Sequence, residues 1–360
     1  PNVAFGKGYS TSEPVIIVGG GYDNCEDTNT SSPPCASPKG AAVYVFKASD
    51  GALLKTLTFS GMRSVPSDVA MVDVDNDGFV DYAYVGDTGG NLFRMDFVDG
   101  AASYAALDKD DWAIYRVAYS TGTASPVPTA PRKFFFPPAL FFSGGSVYVA
   151  MGSGDREHPR QGDYPYTDTL NRFYVYVDRL VNKPTTTAEA INLDDVSLLN
   201  NNTGSTSCNT DRILATSDKR GWFMDLNQYG QGEQTVTSAL ILGGLVTFST
   251  NRPVPPAVGS CTTTLGEARG YWVNLLNGSG GIGVGSTETC GGTRSAIFVG
   301  GGLPPSPVTG IVPVGGTSQA VVIGAVQRDG SASAPIGGQK VVPTIQATRR
   351  RVYWFKNVDN

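Results

Sequence analysis

Charge is scarce in this 360-residue chain. Asp, Glu, Lys and Arg make up 16% of it and the net charge is −5. The largest basic cluster is TRRRVYW near the C-terminus, which gives nucleic acid little to grip and an anionic membrane no polybasic strip. No run approaches the roughly 18 apolar residues of a membrane-spanning helix. Histidine occurs once, as His158, so Ser-His-Asp or Cys-His chemistry would have to pass through that residue. None of the five cysteines forms a CxxC pair, which removes the usual structural zinc site. Sustained 3.6-residue amphipathic spacing is also missing, and the weak helix candidate is TAEAINLDDVSLLNNN, residues 187–202. The chain starts at Pro1 with neither Met nor a signal peptide, as expected of a piece cut from a longer precursor.

Turn formers and apolar residues are plentiful instead. There are 45 Gly and 23 Pro, and hydrophobic residues account for 40%. That composition belongs to a folded chain of short strands and many turns. The expected fold is all-β, with residues 1–360 forming one domain. Cys25 and Cys35 bracket the polar loop CEDTNTSSPPC, where a disulfide would constrain the unfolded chain, and an oxidising compartment follows from it. Cys261–Cys290 is a second possible pair, leaving Cys208 odd. Five buried thiols are the alternative.

Strand candidates recur along the chain: PVIIVGGG, DVAMVDV, VDYAYVGD, KFFFPPALFF, SVYVAMGSG, TSALILGGLVTFST, SAIFVGGG and QAVVIGAVQ. Most are β-branched or aromatic and close on glycine. Aromatic strands followed by a polar turn can be marked at Tyr44, Phe93, Tyr174, Trp222, Tyr271 and Tyr353, spaced 49, 81, 48, 49 and 82 residues apart. A four-stranded propeller blade occupies about 40–50 residues, so the steps near 49 point to a modified β-propeller with loop insertions. A pair of β-sandwiches would account for the strands but not for the spacing.

The densest chemistry lies in DVDNDGFVD, residues 73–81. Side-chain oxygens fall at positions 1, 3, 5 and 9 (Asp73, Asp75, Asp77, Asp81), Gly78 stands at position 6, and the Phe79 carbonyl at position 7. This is the front of an EF-hand-like calcium loop. Ca²⁺ takes six to eight hard oxygens, and alternate residues of a tightly curled loop can face one centre. Tyr84 occupies position 12, where an EF-hand carries a bidentate Glu, so the loop opens onto a strand and the bidentate role passes to Asp81. An Asx turn held by its own backbone is the plainer reading. Four carboxylates within nine residues repel one another without a cation, which favours the ion.

Other motifs carry less. His158 in GSGDREHPRQGD has acidic and basic neighbours, but a charged loop between Gly and Pro is more often a structural turn held by ion pairs. VGGGYD and VGGGLPP follow strands without opening a G-x-G-x-x-G helix. The Asp pairs at 110–111 and 194–195 read as solvated turns. No nucleophile, base or cofactor motif supports an enzyme.

Four stretches together with the C-terminal end, RRRVYWF, resemble the C-terminal domain of the PilY/PilC family of type IV pilus-associated proteins. They are PVIIVGGGYDN, the acidic loop running into YVGDTGGNLFRMD, MGSGDREHP, and GWFMDL followed by VTFSTNRP. The resemblance implies a modified β-propeller of about seven blades with one surface Ca²⁺ held by Asp73, Asp75, Asp77, Phe79 and Asp81. It implies a secreted, non-enzymatic protein of the periplasm, pilus tip and bacterial surface. There it would support pilus assembly, oppose retraction, and contribute to twitching motility, adhesion and virulence. Its partners would be major or minor pilins, and host or abiotic surfaces. The family's variable N-terminal adhesive region has no counterpart here, and RQGD is not an Arg-Gly-Asp motif. Two other readings compete. VYVFKASDGALLKT resembles repeats of quinoprotein dehydrogenases, which are also calcium-using propellers, although their adjacent Cys pair is missing. A lectin-like binding propeller is the other.

Overall fold

The computed structural model describes residues 2–27, 38–100, 102–120, 132–158, 169–181, 183–184, 189–204, 212–254, 258–259, 265–283, 291–298, 301–314, 317–324 and 338–341. The β-branched and aromatic runs become strands, and the glycines that close several of them fall at strand ends. No α-helix occurs among the described residues; two short 3-10 turns do, at Asn24–Asp27 and Lys109–Asp111.

Five sheets follow one another along the chain. The first is the antiparallel meander β1 (Asn2–Ala4), β2 (Val15–Gly19), β3 (Val43–Lys47) and β4 (Leu53–Leu57). The second contains β5 (Ala70–Val72), β6 (Tyr82–Gly86), β7 (Asn91–Asp96) and β8 (Ala113–Tyr119). The third is built on β9 (Ala139–Ser143), β10 (Ser146–Gly152) and β11 (Arg172–Asp178). Two short strands, β12 (Ile191–Asn192) and β13 (Asn200–Asn201), precede its next full strand, β14 (Gly221–Asp225). In the fourth, β15 (Gln234–Thr235) and β16 (Leu240–Leu242) both pair with β17 (Leu245–Arg252), followed by β18 (Glu267–Asn274) and β19 (Ser295–Ile297). The fifth has three strands, β20 (Val308–Val314), β21 (Thr317–Ile323) and β22 (Gly338–Lys340).

Consecutive sheets pack face to face. Successive side chains of a strand point to opposite faces, and here both faces are covered. On β6, Ala83 and Val85 join Val15, Ile17 and Val43 of the first sheet, while Tyr82 and Tyr84 join Val149, Met151 and Tyr174 of the third. The other face of the third sheet meets the fourth through a ring stack. Phe173 lies 3.7 Å from Phe248, and Phe248 lies 4.7 Å from Tyr271, centroid to centroid. Trp222 Nε1 donates to the Leu275 carbonyl across the same junction at 2.8 Å. Trp272 and Leu245 then pack against Val322 of the fifth sheet and Val341 just beyond its last strand. Burying one such large side chain stabilises by about 1.5–3 kcal/mol. The first strands of the second and third sheets, β5 and β9, approach each other, and β9 approaches β16 of the fourth. Sheets stacked face to face in sequence make the β-propeller that the strand spacing predicts. The described residues contain five sheets, and a ring of about seven blades stays an expectation.

Tyr44, Phe93, Tyr174 and Tyr271 each sit on the third strand of their sheet. Trp222 does not: it lies on β14, in the same sheet as Tyr174 and paired with β11 through Val175. The step of 48 residues from Tyr174 to Trp222 therefore stays inside one blade carrying an insertion, the step of 49 from Trp222 to Tyr271 crosses to the next, and the regular period is broken there. Tyr353 and RRRVYWF lie outside the described residues.

That insertion contains the helix candidate, whose described residues, 189–202, form no α-helix. Ile191–Asn192 pairs in parallel with β8 of the second sheet, and Asn200–Asn201 pairs in parallel with β14 of the third. The segment is a strap across two blades, because Leu193 and Leu199 bury in the core between those blades rather than on one helical stripe. Asp194 sits in the strap and is not a solvated turn. Its carboxylate accepts from Arg132 Nη1 at 2.9 Å, Arg172 Nη1 at 2.7 Å, the Tyr174 hydroxyl at 2.8 Å and the Ser120 hydroxyl at 2.9 Å. Burial alone would raise its pKa. The two guanidiniums and the hydroxyl hydrogen bonds outweigh that and hold it below the usual carboxylate range. The Asp110–Asp111 pair does lie exposed, in the 3-10 turn.

Candidate metal centre

The acidic loop is the connection between β5 and β6, closed by the pairing of Val72 with Tyr82. Its backbone curls around its own carboxylates. Asp73 Oδ1 accepts from the Asn76 N–H at 2.6 Å, and Asp73 Oδ2 accepts from the Gly78 N–H at 2.8 Å. Asp75 Oδ1 accepts from the Asp77 N–H at 3.1 Å, and Asp77 Oδ1 from the Phe79 N–H at 2.9 Å. The curl needs left-handed backbone at Asn76 (φ 62°) and Gly78 (φ 92°), the two residue types that adopt it most readily.

Three of the expected ligands converge. Oxygens of Asp73, Asp75 and Asp81 lie within 4.8 Å of one another. Asp75 is exposed, Asp73 half-buried, and Asp81 buried at the base of the loop, where its Oδ2 accepts from the Val74 N–H at 2.7 Å. Burial, and then the neighbouring charges of Asp75 and Asp73, push the Asp81 pKa up to about 6. Asp77 is not part of the trio; its Oδ2 faces Lys7 Nζ at 3.1 Å. Phe79 follows it, half-buried, with its ring edge-on to Phe5 at 6.3 Å. Tyr84, at the twelfth position, is fully buried in β6 and donates to Asp178 Oδ2 at 3.0 Å, so it belongs to the sheet.

The donor set fits a hard divalent cation. Among the described residues no Lys or Arg forms an ion pair with Asp73, Asp75 or Asp81; loop N–H groups, and the more distant charge of Lys7, are what relieve their mutual repulsion. Several buried acids elsewhere have fixed basic partners. Arg94 Nε and Nη1 bind Asp96 at 2.6 Å and Asp178 at 2.9 Å, and Lys133 Nζ binds Asp155 at 2.9 Å. His158 Nδ1 also lies 2.9 Å from Asp155, so one buried carboxylate, paired with Lys133, stands beside the histidine turn. Cys25 is disulfide-bonded; its expected partner Cys35 lies outside the described residues, as do Cys208, Cys261 and Cys290. Among the described residues no helix is long and apolar enough to cross a membrane.

Lys7 and Phe5 are contacts of the loop that sequence reasoning missed. Lys7 is 70 positions from Asp77, and an isolated Lys among Gly and Tyr carries no local signal.

Comparison with known proteins gives three findings. Residues 3–127, which include the acidic loop, match the family model of the PilY1 beta-propeller domain. The type IV pilus biogenesis factor PilY1 of Pseudomonas aeruginosa is 22% identical over 289 residues, and a PilY1 homolog of Xylella fastidiosa is 27% identical over 267. Those alignments cover 70% and 69% of this chain, but only 24% and 16% of the two relatives, so the chain spans a small part of their length. The crystal structure of the P. aeruginosa PilY1 C-terminal domain superposes with a TM-score of 0.61 at 18% identity, covering 89% of this chain and 70% of that one. By family model, by relatives and by fold, the chain resembles the C-terminal β-propeller domain of PilY1.

Proposed function

We propose that this chain is the calcium-binding, non-enzymatic propeller of a secreted type IV pilus biogenesis factor, with residues 1–360 forming one domain. The observation that carries the reading is the convergence of Asp73, Asp75 and Asp81 on a loop inside the region that matches the family. The ligands are Asp73, Asp75, Asp77 and Asp81 through their carboxylates, and Phe79 through its carbonyl. Ca²⁺ neutralises the loop and fixes its curl on the rim of the second blade, which changes the charge that this rim presents to a partner. The partners are pilins and surfaces, and the setting is the periplasm, the pilus tip and the cell surface. In that setting the domain supports pilus assembly, opposes retraction and contributes to twitching motility and adhesion.

Titration calorimetry and complementation test this together. Wild-type protein is expected to bind Ca²⁺ with measurable heat, and Asp75→Ala protein to lose it. A deletion strain carrying the Asp75→Ala protein is expected to show altered piliation and motility at normal protein levels. Absence of calcium heat in the wild type would refute the site. Unchanged pili and motility in the variant strain would refute the regulatory role.

A further inference from the structure

The N-terminal segment grips two of the five expected ligands and none of the converging three. Lys7 Nζ holds Asp77 Oδ2 at 3.1 Å and lies 5.7 Å from the centroid of the Phe79 ring, whose edge meets Phe5. The Val80 N–H donates to the Phe5 carbonyl at 2.9 Å, and Asn2 Nδ2 donates to the Val69 carbonyl at 2.5 Å on the other side of the loop. Residues 2–7 thus lie along the loop, anchored at one end by the pairing of β1 with β2. Asp73, Asp75 and Asp81 come together beside them, while Asp77, the third acid of the alternating set, is turned to the amine.

From this arrangement we propose that Lys7 is a tethered competitor for the cation of the acidic loop. Its amine holds Asp77 out of the ligand set, and an arriving divalent ion takes the carboxylate from it. The inference rests on the calcium reading of the loop and adds a coupling that the ligands alone do not supply. One carboxylate cannot serve both a bound dication and a lysine at full strength, so ion occupancy and the Lys7–Asp77 contact oppose each other. By linkage, the Lys7–Asp77 contact weakens ion binding, and the bound ion weakens that contact by the same factor. Lys7 and Asp77 both remain partly exposed, which sets the coupling at a modest size.

Two measurements on the whole chain decide it. Amine acylation read by mass spectrometry, with and without Ca²⁺, is expected to show Lys7 reacting at least about twofold faster in the ion-bound protein. Lys219, whose amine contacts the Val196 and Ser197 carbonyls on a different blade, serves as the unchanged reference. Calorimetry is expected to give Lys7→Met about two- to fivefold tighter Ca²⁺ binding than wild type. Equal labelling of Lys7 in both states, or equal affinity of Lys7→Met and wild type, would overturn the competition while leaving the calcium site standing. Wild-type protein without calcium heat would overturn the site itself, and the competition with it.

Discussion

The loop at residues 73–81 and the strap around Asp194 give the same side chain opposite surroundings. In the strap one aspartate meets two arginines, a tyrosine and a serine, all supplied by the neighbouring blades. In the loop three aspartates meet one another and their own backbone. The strap carries its cations in the sequence and is complete once folded. The Asp73–Asp75–Asp81 trio has no such cation paired with it among the described residues and could hold one from solution. What separates these two acidic sites is that Asp194 has fixed basic partners and the trio of Asp73, Asp75 and Asp81 has none in contact among the described residues.

Breaking the strap gives the largest expected effect. Asp194→Ala strands Arg132 and Arg172 beside a buried gap and is expected to cost about 3–5 kcal/mol in urea unfolding. The same carboxylate sets part of the acid limit. Its folded pKa lies below its unfolded value, so its contribution is present above about pH 4 and is lost as pH falls through the folded pKa. Asp194→Asn is therefore expected to flatten the acid side of the stability–pH profile below about pH 4, measured by thermal melts across pH. The loop responds to a different reagent. At a free Ca²⁺ concentration one hundred times Kd, wild type is expected to gain about 2.7 kcal/mol over chelator-treated protein, and Asp75→Ala to gain almost nothing, by scanning calorimetry. The smallest effect sharpens the comparison from the backbone side. Gly78→Ala meets open space but must keep φ near 92°, and is expected to cost about 1–2 kcal/mol in calcium-saturated protein. If Asp194→Ala were as mild as Gly78→Ala, the strap would lose its standing as a fixed ion network.

The convergence of Asp73, Asp75 and Asp81 was legible in the sequence because those residues are local, whereas their spacing did not show Asp77 turned to Lys7. Strands were legible where both faces are buried, since β6 and β11 read as unbroken apolar and aromatic runs. The strap was not. Its alanines and leucines suggested a helix, but Leu193 and Leu199 answer to cores formed by strands distant in sequence, and Asp194 to an arginine 62 positions away. The blade period failed at Trp222 for the same reason, since an insertion inside a sheet is invisible to a spacing rule. Lys7 was missed because nothing near it in sequence marks the acid it meets.

The strap also bears on the order in which the molecule can assemble. The outermost strand of the second sheet, β12, begins at Ile191, 72 residues after β8 ends at Tyr119. A chain that emerges from its N-terminus can finish the first sheet from local pieces, but the second keeps an open edge until most of the third has been made. Long-range closures of this kind slow folding and leave strand edges exposed while they wait. For a chain that folds as it emerges, the interval between residues 119 and 191 is the window in which a chaperone, or a misplaced strand, could occupy that edge.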